Sequence, residues 1–252
     1  MKKITKLSLV IILILSANIK VFAASGLEFS VNVPLGISFG LLQGDIPMQY
    51  PITETTYFNS MKLSSAAGFD SGLHIQIGYM FDFSGFGLSL LGDLGYSFDS
   101  YILSISGSQI VYPFNIQAKG DIGLYMHSFQ IGILPKFNFG SFALGIGGGV
   151  KIPFSGTIEG NADITAGSQT VKIFDYKTNY KSSDFKAPII PYIKVTFDYS
   201  FFFDDNMAFV VGGYIGYDFG LIDDKSYTEE VRIDSFDIGA QLGFKFGARA
   251  GY

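Results

Sequence analysis

From Leu27 onward the chain alternates apolar and polar residues with a period of two. Leu27, Phe29, Val31, Val33, Leu35, Ile37 and Phe39 take one phase, and Glu28, Ser30, Asn32, Pro34, Gly36 and Ser38 the other. In a strand the two phases point to opposite faces of the sheet. The pattern returns over 73–83, 86–98, 114–126, 129–139, 142–154, 189–201, 209–219 and 236–246. No residue on the apolar face of these runs is charged. The opposite face carries Glu28, Asp82, Asp93, Lys119, Asp121, Lys136, Lys151, Lys194, Asp198, Asp218, Asp237 and Lys245. Composition agrees with a strand protein, since 31 Gly, 26 Phe and 15 Tyr replace the Ala, Leu, Glu and Lys of helical chains.

A soluble barrel would bury the apolar face and have no need of aromatics at its edges. Here Phe39, Phe81, Phe83, Phe86, Phe98, Phe114, Phe129, Phe139, Phe154, Tyr199, Phe201 and Phe219 bracket it. Aromatic girdles flanking an aliphatic band mark the two interfaces of a membrane. Within lipid only helices and closed barrels satisfy every backbone polar group. The expected fold is therefore all-β, a transmembrane antiparallel up-and-down β-barrel with the charged face inside. Ten strands follow if 158–166, after a Ser155-Gly156 turn, is added to the nine runs; eight is the alternative. A Ser84-Gly85 hairpin joins two of them. Ten strands put outer loops at 40–68, 99–112, 140–141, 167–187 and 220–232, and leave His127 in a short inner turn. Pro34, Pro135 and Pro153 predict bulges or strand ends, because proline cannot donate to the ladder.

The first 23 residues read as a cleaved secretory signal peptide, leaving residues 24–252 as one barrel domain. Lys2, Lys3 and Lys6 precede an apolar stretch from Leu7 to Ala17, and Val21-Phe22-Ala23 offers small residues at a cleavage site. A spanning helix needs roughly 20 apolar residues, and Lys20 interrupts too early. Without the segment the formal charge falls from −5 to −9, as four lysines leave and no acid does. That balance excludes a nucleic-acid partner. The absence of Cys removes disulfides, thiolate metal sites and cysteine nucleophiles.

At the C-terminus the apolar phase runs through Phe236, Ile238, Ala240, Leu242, Phe244, Phe246, Ala248, Ala250 and Tyr252. This resembles the closing strand of bacterial outer-membrane β-barrels, with Tyr252 in place of the usual Phe. With the signal peptide, the resemblance to small OmpA/OmpX-like barrels covers nearly the whole chain. It implies residence in the bacterial cell outer membrane, contact with outer-membrane lipids and recognition by the barrel-assembly machinery through Phe244, Phe246 and Tyr252. No peptidoglycan-binding domain follows the barrel, so an envelope-tethering role is not implied.

Three functions remain. The inward charges form cross-strand ion pairs in a closed lumen, and the loops do the work as a surface or adhesin-like protein. Alternatively, inward glycines such as Gly145, Gly147, Gly149, Gly239 and Gly243 leave a narrow porin-like channel. The third is a hydrolase using His74, which points inward beside Gln76 and near Asp70, although no nucleophile converges on it. No His/Asp/Glu cluster has metal-ligand spacing, and no cofactor is expected. The reading carried forward is a monomeric, non-enzymatic surface barrel. Its candidate ligand-binding residues are Lys172, Tyr176, Lys177, Tyr180 and Lys181, where cations and aromatics suit anionic headgroups or glycans.

Overall fold

The computed structural model describes residues 25–43, 51–53, 56–57, 61–83, 85–111, 114–181, 189–220, 232–247 and 249–250. The expected signal peptide, Tyr252 and most of the 220–232 loop lie outside the described residues. The elements are β1 (Gly26–Gln43), β2 (Pro51–Thr53), β3 (Thr56–Tyr57), β4 (Met61–Asp82), β5 (Gly87–Val111), β6 (Phe114–Phe139), β7 (Phe142–Ala166), β8 (Gln169–Lys181), β9 (Ile190–Asp204), β10 (Met207–Asp218) and β11 (Arg232–Phe246).

Antiparallel pairing runs β1-β4-β5-β6-β7-β9-β10-β11 and returns to β1, where Phe29 faces Phe246 and Gln43 faces Arg232. The ring is closed with eight strands, the lower of the two counts the sequence allows. β8 pairs only with the second half of β7, and β2 with β3 forms a separate ribbon. Both ends of the ring's chain and the tight turns at 83–86, 140–141 and 205–206 share one end, called the near end. The 140–141 turn therefore lies opposite to the expected outer loops. Its neighbour at 83–86 is the expected hairpin, closed by the Phe83 N–H donating to the Phe86 carbonyl at 2.9 Å with Gly85 at φ 148°.

The barrel is inside out. Leu27, Ile37, Ile77, Leu90, Ile131, Ile133, Ile193 and Leu242 are exposed on its outer wall, whereas Glu28, Asp93, Lys136, Lys151, Asp198 and Lys245 are buried within. Rings cluster at both rims of the aliphatic belt. Phe83 stacks on Phe86 at 5.2 Å and Tyr199 meets Phe201 at 4.6 Å at the near rim, and Phe129 meets Phe154 at 4.7 Å at the far rim. An apolar exterior with two aromatic girdles is the arrangement of a barrel standing in lipid.

Two expected turns do not exist. Residues 114–139 form one strand and 142–166 another, so His127 sits mid-strand at the far rim and 155–156 continues β7. What changes there is polarity, not direction. Even positions of β6 face inward throughout, yet they are polar at Ser128 and Gln130 and apolar at Ala118 and Met126. The strand has left lipid for water, and the apolar side has changed faces. β7 keeps its sequence phase and changes faces instead: Ser128 pairs with Pro153 but His127 with Ser155, which leaves Phe154 as a β-bulge. Pro153 thus flanks a bulge as expected. Pro34 and Pro135 do not, because register is kept on both sides and each merely interrupts one ladder.

Beyond the far rim the wall is uneven. β5, β6 and β7 have 25, 26 and 25 residues, whereas β10 has 12. At about 3.3 Å per residue the difference is on the order of 40 Å of strand. The expected loops 99–112 and 167–187 are largely strand. With the start of β4, they build a five-stranded sheet, β4-β5-β6-β7-β8, rising from one side of the mouth.

Candidate functional site

The lumen is filled in layers. At the near end Gly247, with φ 153°, turns the chain out of β11, and its N–H donates to the Asn206 carbonyl at 2.9 Å. Ala250 thereby comes to rest against Met80, both 1% exposed, so the strand ends at Phe246 rather than running to Tyr252. Above this plug Lys245 pairs with Glu28 at 3.1 Å and Lys136 with Asp198 at 2.8 Å. Ser89 donates to Glu28 at 2.5 Å and Asn138 to Ser89 at 2.8 Å, while Gln241 donates to Asp198. Asp93 follows, held by Lys194, by Gln130 at 2.8 Å and by the Tyr192 hydroxyl at 3.4 Å.

The next layer is richer in acid. Lys151 lies between Asp99 and Asp218, at 2.7 and 2.6 Å, and Tyr101 donates to Asp218 at 3.1 Å. Tyr214 donates to Asp70 at 2.6 Å, and Ser235 to Asp237 at 3.1 Å. Tyr101, Met126 and Ile190, with Leu124 and Ile233 against them, cap the stack at the far end.

Glycine does not open this interior. Tyr214 lies over Gly36 and Gly239, Tyr192 over Gly132, His74 over Gly95, and Thr196 with Lys136 over Gly145. Each missing side chain is the space a larger neighbour occupies. Among the described residues the interior holds a cavity of about 30 Å³ among Asp70, His74, Lys151, Tyr192, Tyr214 and Asp237, and one of about 10 Å³ near Lys136 and Asn32. A water needs roughly 10 to 15 Å³ measured this way, so these are pockets for one or two waters.

Most expected lumen residues are in the lumen: Glu28, His74, Asp93, Lys136, Lys151, Lys194, Asp198, Asp237 and Lys245 are buried. Asp82 sits half-buried at the near rim, its N–H donating to Ser25 at 2.8 Å. Lys119 and Asp121 are a correction. They are exposed on the outer face of the rising sheet, where Ser104 donates to Asp121 at 2.5 Å, because odd positions of β6 face outward there as well. Asp70, Asp99, Tyr101, Tyr192 and Tyr214 were missed. Asp99 and Tyr101 keep the inward phase of β5, but the sequence pattern stops at Phe98 and hides it.

His74 does not meet Asp70, whose partner is Tyr214; its Nδ1 lies 3.5 Å from the Lys194 ammonium. His127 stands outside, its Nδ1 2.7 Å from the Tyr96 hydroxyl and its ring 5.1 Å from that of Phe98. Among the described residues no group of three or more His, Asp or Glu is placed to hold a metal ion.

The candidate ligand residues Lys172, Tyr176, Lys177, Tyr180 and Lys181 fall on the single strand β8. Lys172 pairs with Asp175 at 2.5 Å, Lys177 with Glu159 of β7, and the Tyr176 and Tyr180 hydroxyls lie 3.4 Å apart. The hydrogen bond to Asp175 holds the Lys172 ammonium above the usual lysine range, and Glu159 does the same for Lys177.

No family model matches the chain, and no curated protein matches it. Among solved structures it is similar to Ail, the attachment invasion locus protein of Yersinia pestis, with a TM-score of 0.34 and 14% identity over 89% of this chain and 100% of that one. It is similar also to the outer membrane protein OprG from Pseudomonas aeruginosa, with a TM-score of 0.33 and 13% identity over 90% of this chain and 98% of that one.

Proposed function

We propose that the chain is a monomeric, non-enzymatic barrel of the bacterial outer membrane that acts through the sheet rising from its far rim, as a surface-binding protein with a closed lumen. The near end, with the tight turns and both ends of the barrel chain, faces the periplasm; the long strands face outward. The observation that carries this reading is the layered interior: an apolar plug at Met80 and Ala250, paired charges between, and an apolar cap at Tyr101, Met126 and Ile190. Such a stack stabilises a wall and blocks a water column. The 25 and 26 residues of β5 to β7 exceed what a bilayer crossing of about 9 to 11 residues uses, so the surplus serves contacts beyond the membrane.

Support for a non-enzymatic role comes from His74, whose Nδ1 faces the Lys194 ammonium at 3.5 Å while Ser97 donates to Asp99 and not to the imidazole. The test joins a heat-modifiability gel of the refolded chain to single-channel recording and to adhesion of cells that display it. The expected result is a heat-modifiable band, no stepwise current, and adhesion that disappears when 157–179 is replaced by a short turn. Discrete currents from the folded band would overturn the closed-lumen reading.

A further inference from the structure

The exposed aliphatic side chains of this barrel fall into two groups. Those between the aromatic girdles face the lipid of the protein's own membrane. The others stand beyond the far rim: Ile110 is 80% exposed, Val171 62% and Ile173 53%. From Phe98 at the rim to Ile110 is about 40 Å of strand, which takes the tip clear of that membrane. Ile110 lies one position before Val111, which faces Phe114 in the last pair of the β5–β6 hairpin. Val171 faces Ile164 close to the turn of the β7–β8 hairpin.

The charges behind these tips are ordered too. Lys62 of β4 faces Ser106, Ser106 faces Lys119, Lys119 faces Asp163 and Asp163 faces Lys172. Residues opposite each other in a ladder share a side of the sheet, so three lysines and one acid cross its outer side in a single row, all exposed. Lys172 pairs with Asp175 of the row below, whereas Lys62 and Lys119 form no ion pair among the described residues. Past the row, 107–111, 114–118 and 164–171 contain no charged residue. Ile110 stands on the lysine side, and Ile116, Ile164 and Val171 on the other, so both sides of the tip carry aliphatic groups.

A charge-free tip with a collar of cations behind it suits a lipid interface. Aliphatic groups leave water for acyl carbon, and lysine ammoniums stay at the phosphates. From Ser106 to Val111 the strand advances about 16 Å, enough to cross a headgroup layer of roughly 5 to 8 Å. Aliphatics on both sides of a hairpin end call for a medium that surrounds it, where a protein groove would meet one side. Resting on the surface-binding reading above, we infer that the two hairpin tips insert into the interface of a second, opposing lipid bilayer, with Lys62, Lys119 and Lys172 held at its anionic phosphates.

The chain has no cysteine, so one introduced thiol carries one label. Ile110→Cys and, in the row below the lysines, Asn161→Cys are labelled with an environment-sensitive nitrobenzoxadiazole dye, and the folded full-length barrel is held in phosphatidylcholine nanodiscs. Vesicles of equimolar phosphatidylcholine and phosphatidylglycerol are titrated in, each variant having first been shown to be heat-modifiable like the wild type. The expected result is a blue shift at 110 and none at 161. Vesicle affinity should fall at least about tenfold with the pair Ile110→Asp and Val171→Asp, and likewise with the pair Lys62→Glu and Lys119→Glu. No shift at 110 would overturn the proposal. Equal shifts at both positions would show the sheet lying flat on lipid and overturn insertion by the tips. A shift that grows with nanodisc concentration in the absence of vesicles would assign the tips to a second copy of this chain and overturn the lipid partner. Cell adhesion kept by Ile110→Asp with Val171→Asp, but lost when 157–179 is replaced, would overturn lipid insertion and leave the surface-binding reading standing. Adhesion kept by both would overturn that reading itself.

Discussion

The Tyr214 hydroxyl of β10 donates to Asp70 of β4 at 2.6 Å from three strands away along the barrel wall, and its ring crosses Gly36 of β1 and Gly239 of β11 to do so. A β-carbon at Gly36 would overlap that hydroxyl and the backbone of Ile238. Gly36→Val is therefore expected to lower stability by about 1 to 3 kcal/mol, the usual effect of overpacking. Tyr214→Phe should cost about 1 to 3 kcal/mol by leaving Asp70 without its donor. Urea unfolding of each variant in lipid vesicles measures both, and wild-type stability for Gly36→Val would mean that Tyr214 does not occupy that space.

Lys151 is the ammonium between Asp99 and Asp218. Lys151→Met leaves two buried carboxylates facing each other, and a loss of about 3 to 5 kcal/mol is expected from breaking such a pair on one side. Converting Asp99 and Asp218 to Asn in the same chain should recover most of it. If the triple variant is no better than the single one, the pairing is not what holds this layer.

The outer wall provides a test of faces. Ile77→Lys and Ile133→Lys place a charge in the lipid belt and should each cost about 2 to 4 kcal/mol. Gln117→Lys, on the exposed side of β6 beyond the rim, should stay within about 0.5 kcal/mol of wild type. Comparable losses at all three positions would put the rim in the wrong place.

Deleting Phe154 removes the extra residue of the β7 bulge. The strand would then alternate without interruption, with Pro153 still opposite Ser128 and Ser155 still opposite His127, so Ile158, Ala162 and Ile164 keep their present face. The β7–β8 hairpin should stay as resistant to added protease as in the wild type, whereas an extra residue inserted after Phe154 should exchange the faces and make it rapidly cleaved. Rapid cleavage of the deletion variant would show that the bulge itself is needed to orient the hairpin.

The barrel class, the inward and outward phases and most of the lumen charges were legible in sequence because lipid imposes a charge-free face on every crossing. What was not legible lies where that rule ends. At Met126 the apolar phase of β6 inverts, and a strand leaving the membrane produces the same inversion in sequence as a turn would. The same ambiguity hid Asp99 and Tyr101, put Lys119 and Asp121 in the lumen, and raised the strand count. β8 was hidden differently: Lys172, Asp175, Lys177 and Lys181 give it the composition of a loop, although it is held as a strand by β7. The glycines were visible, but only the tyrosines lying over them decide between a channel and a packed interior.

Among the described residues the sheet stands on one side of the rim only, so the molecule has a front and a back when viewed along the membrane normal. The wall is tall at β5, β6 and β7 and low at β10. Among the described strands, the lowest approach to the tyrosine side of β8 passes over β10. Neighbours crowded against it in the membrane would shut the approach without touching a single residue of the site.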